Sequence, residues 1–121
     1  MLKYNAPLLI TNNGPALSNV CVSVLPDGTI AEIANEFKDD AFFLEGVLVP
    51  GFVNTHCHLE LSHLKNELTP NKEGMKGFIQ QLFSKRFQTE DAKQISLMYA
   101  ADNEMWNQGI VAVGDISNFN R

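Results

Sequence analysis

Leu48-Val49-Pro50-Gly51-Phe52-Val53-Asn54-Thr55-His56-Cys57-His58-Leu59-Glu60-Leu61-Ser62-His63 decides how this chain is read, because it holds all three of its histidines. Pro50-Gly51 breaks the chain just before an apolar run, as suits the start of a strand. Residues two apart in a strand point to one face. His56 and His58 can therefore close on one cation, at roughly 2.0–2.1 Å if it is zinc. Cys57 points the other way. A bare His-x-His pair is also the pattern of surface or core histidines that hold no metal. The position of this pair, at the end of its strand, is what gives it weight: parallel α/β barrels build their active sites from the carboxy-terminal ends of strands.

Working outward, the residues before the stretch read as short strands. Leu8-Leu9-Ile10 is followed by the turn-formers Asn12-Asn13-Gly14-Pro15. Val20–Leu25 and Thr29–Ala34 flank Pro26-Asp27-Gly28, which predicts a hairpin over 20–34. Glu36-Phe37-Lys38-Asp39-Asp40 is a polar link, and 41–44 is another short strand. Residues 47–58 are expected to form one strand. Its alternation places Phe52, Asn54, His56 and His58 on the inner face and Val53, Thr55 and Cys57 against helices.

After Glu60 the sequence turns polar, through Lys65-Asn66-Glu67 and 69–74, and predicts a long loop beside the site. Met75, Phe78, Ile79, Leu82, Phe83 and Phe87 recur at helical spacing and predict an amphipathic helix over 75–87 whose stripe packs in the core. Thr89 is the expected N-cap of a second helix, with Glu90 and Asp91 in its first turn. Ile95, Met98, Tyr99, Met105 and Trp106 mark its buried side, and Gly109 its end. Ile110-Val111-Ala112-Val113 suits a parallel strand covered on both faces. Strand, loop, two helices and strand make a βαβ unit.

Val49-Pro50-Gly51-Phe52-Val53-Asn54-Thr55-His56-Cys57-His58 resembles the first-strand signature of the amidohydrolase superfamily, most closely its cytosine deaminase and chlorohydrolase-like branch. Leu59-Glu60-Leu61-Ser62 is similar to the subset that includes aminodeoxyfutalosine deaminases. The resemblance implies an α/β fold: the amino-terminal part of a metal-dependent (β/α)8 barrel with a small β-sandwich subdomain. Residues 1–46 would begin the sandwich and 47–121 would supply the first βαβ portion of the barrel. A complete barrel takes roughly 250 residues, so 121 residues leave it incomplete. Ile116-Ser117-Asn118-Phe119-Asn120-Arg121 follows directly on an apolar strand, which reads as the piece of a larger enzyme.

The activity implied is hydrolytic deamination of a nitrogen heterocycle, such as an aminopurine or its nucleoside-like derivative, by metal-activated water. One divalent ion is the pattern of the branch, zinc first and iron second, with His56 and His58 as ligands. Glu60, Ser62 and His63 would line the substrate pocket, or else be ordinary loop and cap residues. His63 with Cys57 could make a closed structural zinc site only if Cys57 shared the histidines' face. Asp115 ends the last strand and reads as a pocket-mouth residue or a cap. The remaining ligands and the proton-moving glutamate of the family come from later strands, so no catalytic acid or base is assigned and the isolated chain is expected to be inactive.

A net charge of −5 argues against a nucleic-acid partner. No apolar run approaches the ~20 residues of a membrane span, and residues 1–7 lack a signal peptide's apolar core. Cys21 and Cys57 read as reduced thiols of a cytoplasmic protein. The expected partners are a small-molecule substrate and either further copies or the remainder of the barrel, since open strand edges favour association. The competing reading is a catalytically silent or structural α/β module that associates with other copies.

Overall fold

A computed structural model describes residues 1–70 and 72–117. Asn71 of the expected loop and residues 118–121 lie outside them. The chain divides into two compact units, Met1–Pro50 and the residues from Gly51 onward.

The first unit is one five-stranded sheet. Strands β1 (Leu2–Leu9) and β2 (Leu17–Val24) pair antiparallel, from Leu2 opposite Val24 to Leu9 opposite Leu17. Strand β3 (Ile30–Ala34) adds to β2, while β4 (Phe42–Phe43) and β5 (Val47–Leu48) run parallel to β1. Ala6, Leu9, Val20 and Val22 are its buried core, with Leu17, Val24 and Leu48 packed against them. The hairpin turn forms for the reasons its residues suggest. Leu25 N–H donates to Thr29 O at 2.8 Å, Thr29 N–H donates to Asp27 Oδ1 at 2.9 Å, and Gly28 takes a φ of +88°. Asn5 tethers the polar link: its amide donates to Lys38 O at 2.8 Å and accepts from Lys38 N–H at 3.1 Å.

The second unit runs β6 (Phe52–Cys57), a 3-10 turn (Leu59–Leu64), α1 (Gly74–Lys85), α2 (Asp91–Asn107) and β7 (Ile110–Asp115). Strands β6 and β7 are parallel, so the expected βαβ order is present. Gly109 ends α2 at a φ of +84°, where its N–H donates to Trp106 O at 3.0 Å. Among the described residues, no helix is long and apolar enough to cross a membrane.

Four expectations need correction. The single strand over 47–58 is two strands in two sheets: Val47 and Leu48 pair with Leu8 and Leu9, and Ile10 N–H donates to Leu48 O at 3.0 Å. Pro50 has no N–H to continue that ladder. Strict alternation along the later part also fails, because the β6–β7 register shifts between Asn54 and Cys57. Asn54, expected on the inner face, instead directs its amide to Met105 Sδ of α2 at 3.7 Å.

The apolar stripes are the third correction. Met75, Phe78, Ile79, Phe83 and Phe87 are exposed, as are Ile95, Tyr99 and Trp106. The buried residue of α1 is Gly77 and that of α2 is Gln94. Amphipathic spacing identifies a face that needs cover without supplying the cover. Helix α2 also begins one residue later than expected, with Glu90 at the N-cap position and no side-chain cap bond.

Candidate metal centre

The two imidazoles meet at the end of β6. His56 lies in the strand, and His58 lies one residue past it, at φ −134° and ψ 78°. Their Nε2 atoms are 3.3 Å apart, with ring planes at 81°. His58 Nδ1 lies 2.7 Å from Ile116 O. A carbonyl oxygen only accepts, so Nδ1 carries the proton and Nε2 keeps its lone pair. Two ligands at the usual zinc–imidazole distance and a tetrahedral angle sit roughly 3.3–3.4 Å apart. The observed separation matches that bite, and the pinned tautomer is the one a metal ligand needs. A neutral pair sharing one N–H would also fit this spacing. Among the described residues, no group of three or more His, Cys, Asp or Glu side chains is arranged to hold an ion.

Backbone and side-chain bonds fix the junction behind the rings. Ile116 N–H donates to Cys57 O at 2.9 Å, and Leu59 N–H donates to Asp115 Oδ1 at 2.9 Å. Asp115 therefore caps the start of the 3-10 turn. Cys57 Sγ lies 3.8 Å from the same carboxylate oxygen, and the thiol borders a hollow with Ala101 and Met105 of α2. Burial first, and the Asp115 charge second, push the Cys57 thiol above its ordinary value. It stays protonated at neutral pH, as a packed thiol rather than a nucleophile.

Glu60, Ser62 and His63 fall on the 3-10 turn and differ from one another. The resemblance implies that Glu60 would line the substrate pocket, with a loop or cap role as the alternative. In the structure it is only 1% exposed, and its Oε1 is paired with Arg86 Nη2. Ser117 Oγ lies 3.4 Å from its other oxygen. Its backbone carbonyl accepts from Gln94 Nε2 at 2.7 Å and lies 3.0 Å from His63 Nδ1. Ser62 borders a pocket of about 690 Å³ that also touches His58, with Leu61, Phe78 and Leu82 among its apolar lining. His63 touches the same pocket but is 8% exposed, and its Nε2 is buried with no partner among the described residues.

Arg86 and Gln94 escaped the sequence reading. The available signal was Glu60 itself: a carboxylate between Leu59 and Leu61 is poorly placed for water and calls for a cation. Which cation answers, 26 residues away, is a matter of how α1 ends.

No protein-family model matches the chain, and no curated protein does. Among solved structures, an amidohydrolase from Brucella melitensis is similar in fold, with a TM-score of 0.75 at 16% sequence identity. The likeness covers 100% of this chain and 28% of that one, so this chain spans little more than a quarter of its neighbour's length.

Proposed function

We propose that this chain forms the amino-terminal part of a metal-dependent amidohydrolase. The complete protein would hydrolytically deaminate a nitrogen heterocycle such as an aminopurine or its nucleoside-like derivative. The observation that carries the reading is the 3.3 Å approach of His56 Nε2 and His58 Nε2, with His58 Nδ1 held on Ile116 O. The fold likeness to an amidohydrolase supports the same reading. His56 and His58 would hold one divalent ion, zinc or iron, as neutral imidazoles. When bound, such an ion supplies a water acidic enough to act as hydroxide near pH 7.

The chain's own residues contribute orientation and binding. Ile116 O keeps the His58 ring in one tautomer. Ser62 supports a substrate contact, because its pocket reaches His58 and offers apolar walls to a flat ring. His63 borders that pocket and is proposed as a secondary contact, while Glu60 serves better as an anchor than as a substrate acceptor.

The test uses the full-length protein that carries this sequence. Metal analysis is expected to find about one ion per chain, lost in both His56→Ala and His58→Ala. Ammonia release from a panel of aminopurines, aminopyrimidines and triazines is expected to vanish with it. The isolated 121-residue chain should bind zinc weakly and turn over nothing, having two ligands where catalytic sites usually have three. A metal-free, inactive full-length protein would overturn the reading.

A further inference from the structure

We propose that the buried Glu60–Arg86 ion pair positions His58, which makes Arg86 a positioning residue for the histidine pair. The inference rests on the reading of His56 and His58 as metal ligands. Glu60 lies two residues beyond His58, with only Leu59 between them. Around it, three parts of the unit converge: the end of α1 through Arg86, the first turn of α2 through Gln94, and the residues after β7 through Ser117. Arg86 is the residue directly after α1, and its side chain is 16% exposed against 2% for that of Glu60.

The link to His58 is short and stiff. Leu59 is tied to Asp115 through its N–H and His58 to Ile116 through Nδ1, while Arg86 and Gln94 hold Glu60, so the chain from His58 to Glu60 is held at both ends. Losing Arg86 removes the ion pair at the inner end of that segment, where Gln94 still holds the Glu60 carbonyl, and so loosens the hold on the His58 ring at Ile116 O. A guanidinium suits this role because its planar fork fixes direction as well as charge. Outer-shell partners of metal-binding histidines typically change affinity by about 10–100-fold when removed.

The experiment compares the full-length protein with Arg86→Met, Arg86→Lys, the double variant Glu60→Leu/Arg86→Met, and Gly109→Ala. Gly109→Ala loosens the same unit at the far end of α2 and serves as the control. Two quantities are read: zinc affinity by chelator competition, and the 15N shifts of His58 in the metal-free protein, which report its tautomer. Arg86→Met is expected to lower zinc affinity about 10–100-fold and to move His58 toward a mixed tautomer, with Arg86→Lys between it and the parent. Gly109→Ala is expected to leave both readings unchanged. Should Arg86→Met fail to fold, the double variant, which strands no buried charge, carries the test and is expected to show the same two losses.

The proposal is overturned if Arg86→Met, or the double variant, keeps the parent's affinity and tautomer. It is equally overturned if Gly109→Ala shifts them as far. If the parent binds no zinc, the functional reading fails by itself, and the His58 shifts still decide whether Arg86 orients the ring.

Discussion

Asp27 accepts the Thr29 N–H at 2.9 Å, and that bond is the main reason its carboxyl titrates below the ordinary 3.8. The folded carboxyl takes up a proton less readily than the unfolded one. Its stabilising effect is therefore present above the unfolded value and lost as pH falls through the folded value. Asp27→Ala should melt earlier than the parent at pH 7, and the gap should narrow as pH falls below the ordinary 3.8. Thermal melts followed by circular dichroism across that range check it; a gap that survives in acid would assign the effect to something other than the carboxylate. This turn was legible from Pro26-Asp27-Gly28 because all its bonded partners lie within four residues of one another. The histidine pair was legible for the same reason. The Glu60–Arg86 pair was not, since nothing local in either residue names the other.

Among elements, β6 and β7 carry the sharpest constraint. A Cβ on Gly114 would lie 2.6 Å from Thr55 O and 3.0 Å from Thr55 C, so a side chain there drives the two strands apart. A Cβ on Gly109 would meet only Phe52 Cδ2 at 3.8 Å, which leaves its φ of +84° as the obstacle. Gly109→Ala is expected to cost about 1–2 kcal/mol for the left-handed conformation, and Gly114→Ala at least about 3 kcal/mol, the upper end for forced overpacking. Denaturant unfolding of both variants ranks them; a larger loss at Gly109 would contradict the close strand approach. Helix α2 shows where periodicity misleads. Its inward line runs through Gln94, Leu97, Met98, Ala101 and Met105, whereas the larger Ile95, Tyr99 and Trp106 lie outside. Size and hydropathy pick the residues that want burial, but the turn at Leu59–Leu64 decides which side is reached, and Gln94 wins its place by bonding Glu60 O.

Among the described residues, buried apolar side chains are few and exposed ones many. The buried set is Ala6, Leu9, Val20, Cys21, Val22 and Leu64, while Phe42, Phe52, Phe83 and Trp106 are each 60% exposed or more. An apolar hollow of about 490 Å³ lies open in the first unit, walled by Tyr4, Val24, Ile30, Ile33 and Leu48. Both β6 and β7 also lack a second neighbour among the described residues. Surface of this kind drives association. The isolated 121-residue chain should therefore gain mass with concentration in light scattering and bind a hydrophobic dye. A dye-silent monomer at every concentration would show that these faces cover one another in solution.

Strand and helix identities, the hairpin, the stop at Gly109 and the meeting of two histidines follow from residues near one another in the chain, where period, turn chemistry and spacing act directly. Tertiary structure alone decided that Val47–Leu48 leave the histidine strand for another sheet, that Asn54 turns to Met105, and that Glu60 is enclosed by Arg86. Each of those outcomes depends on which distant partner satisfies a buried polar group or an open strand edge, and a sequence pattern states the need without naming the partner.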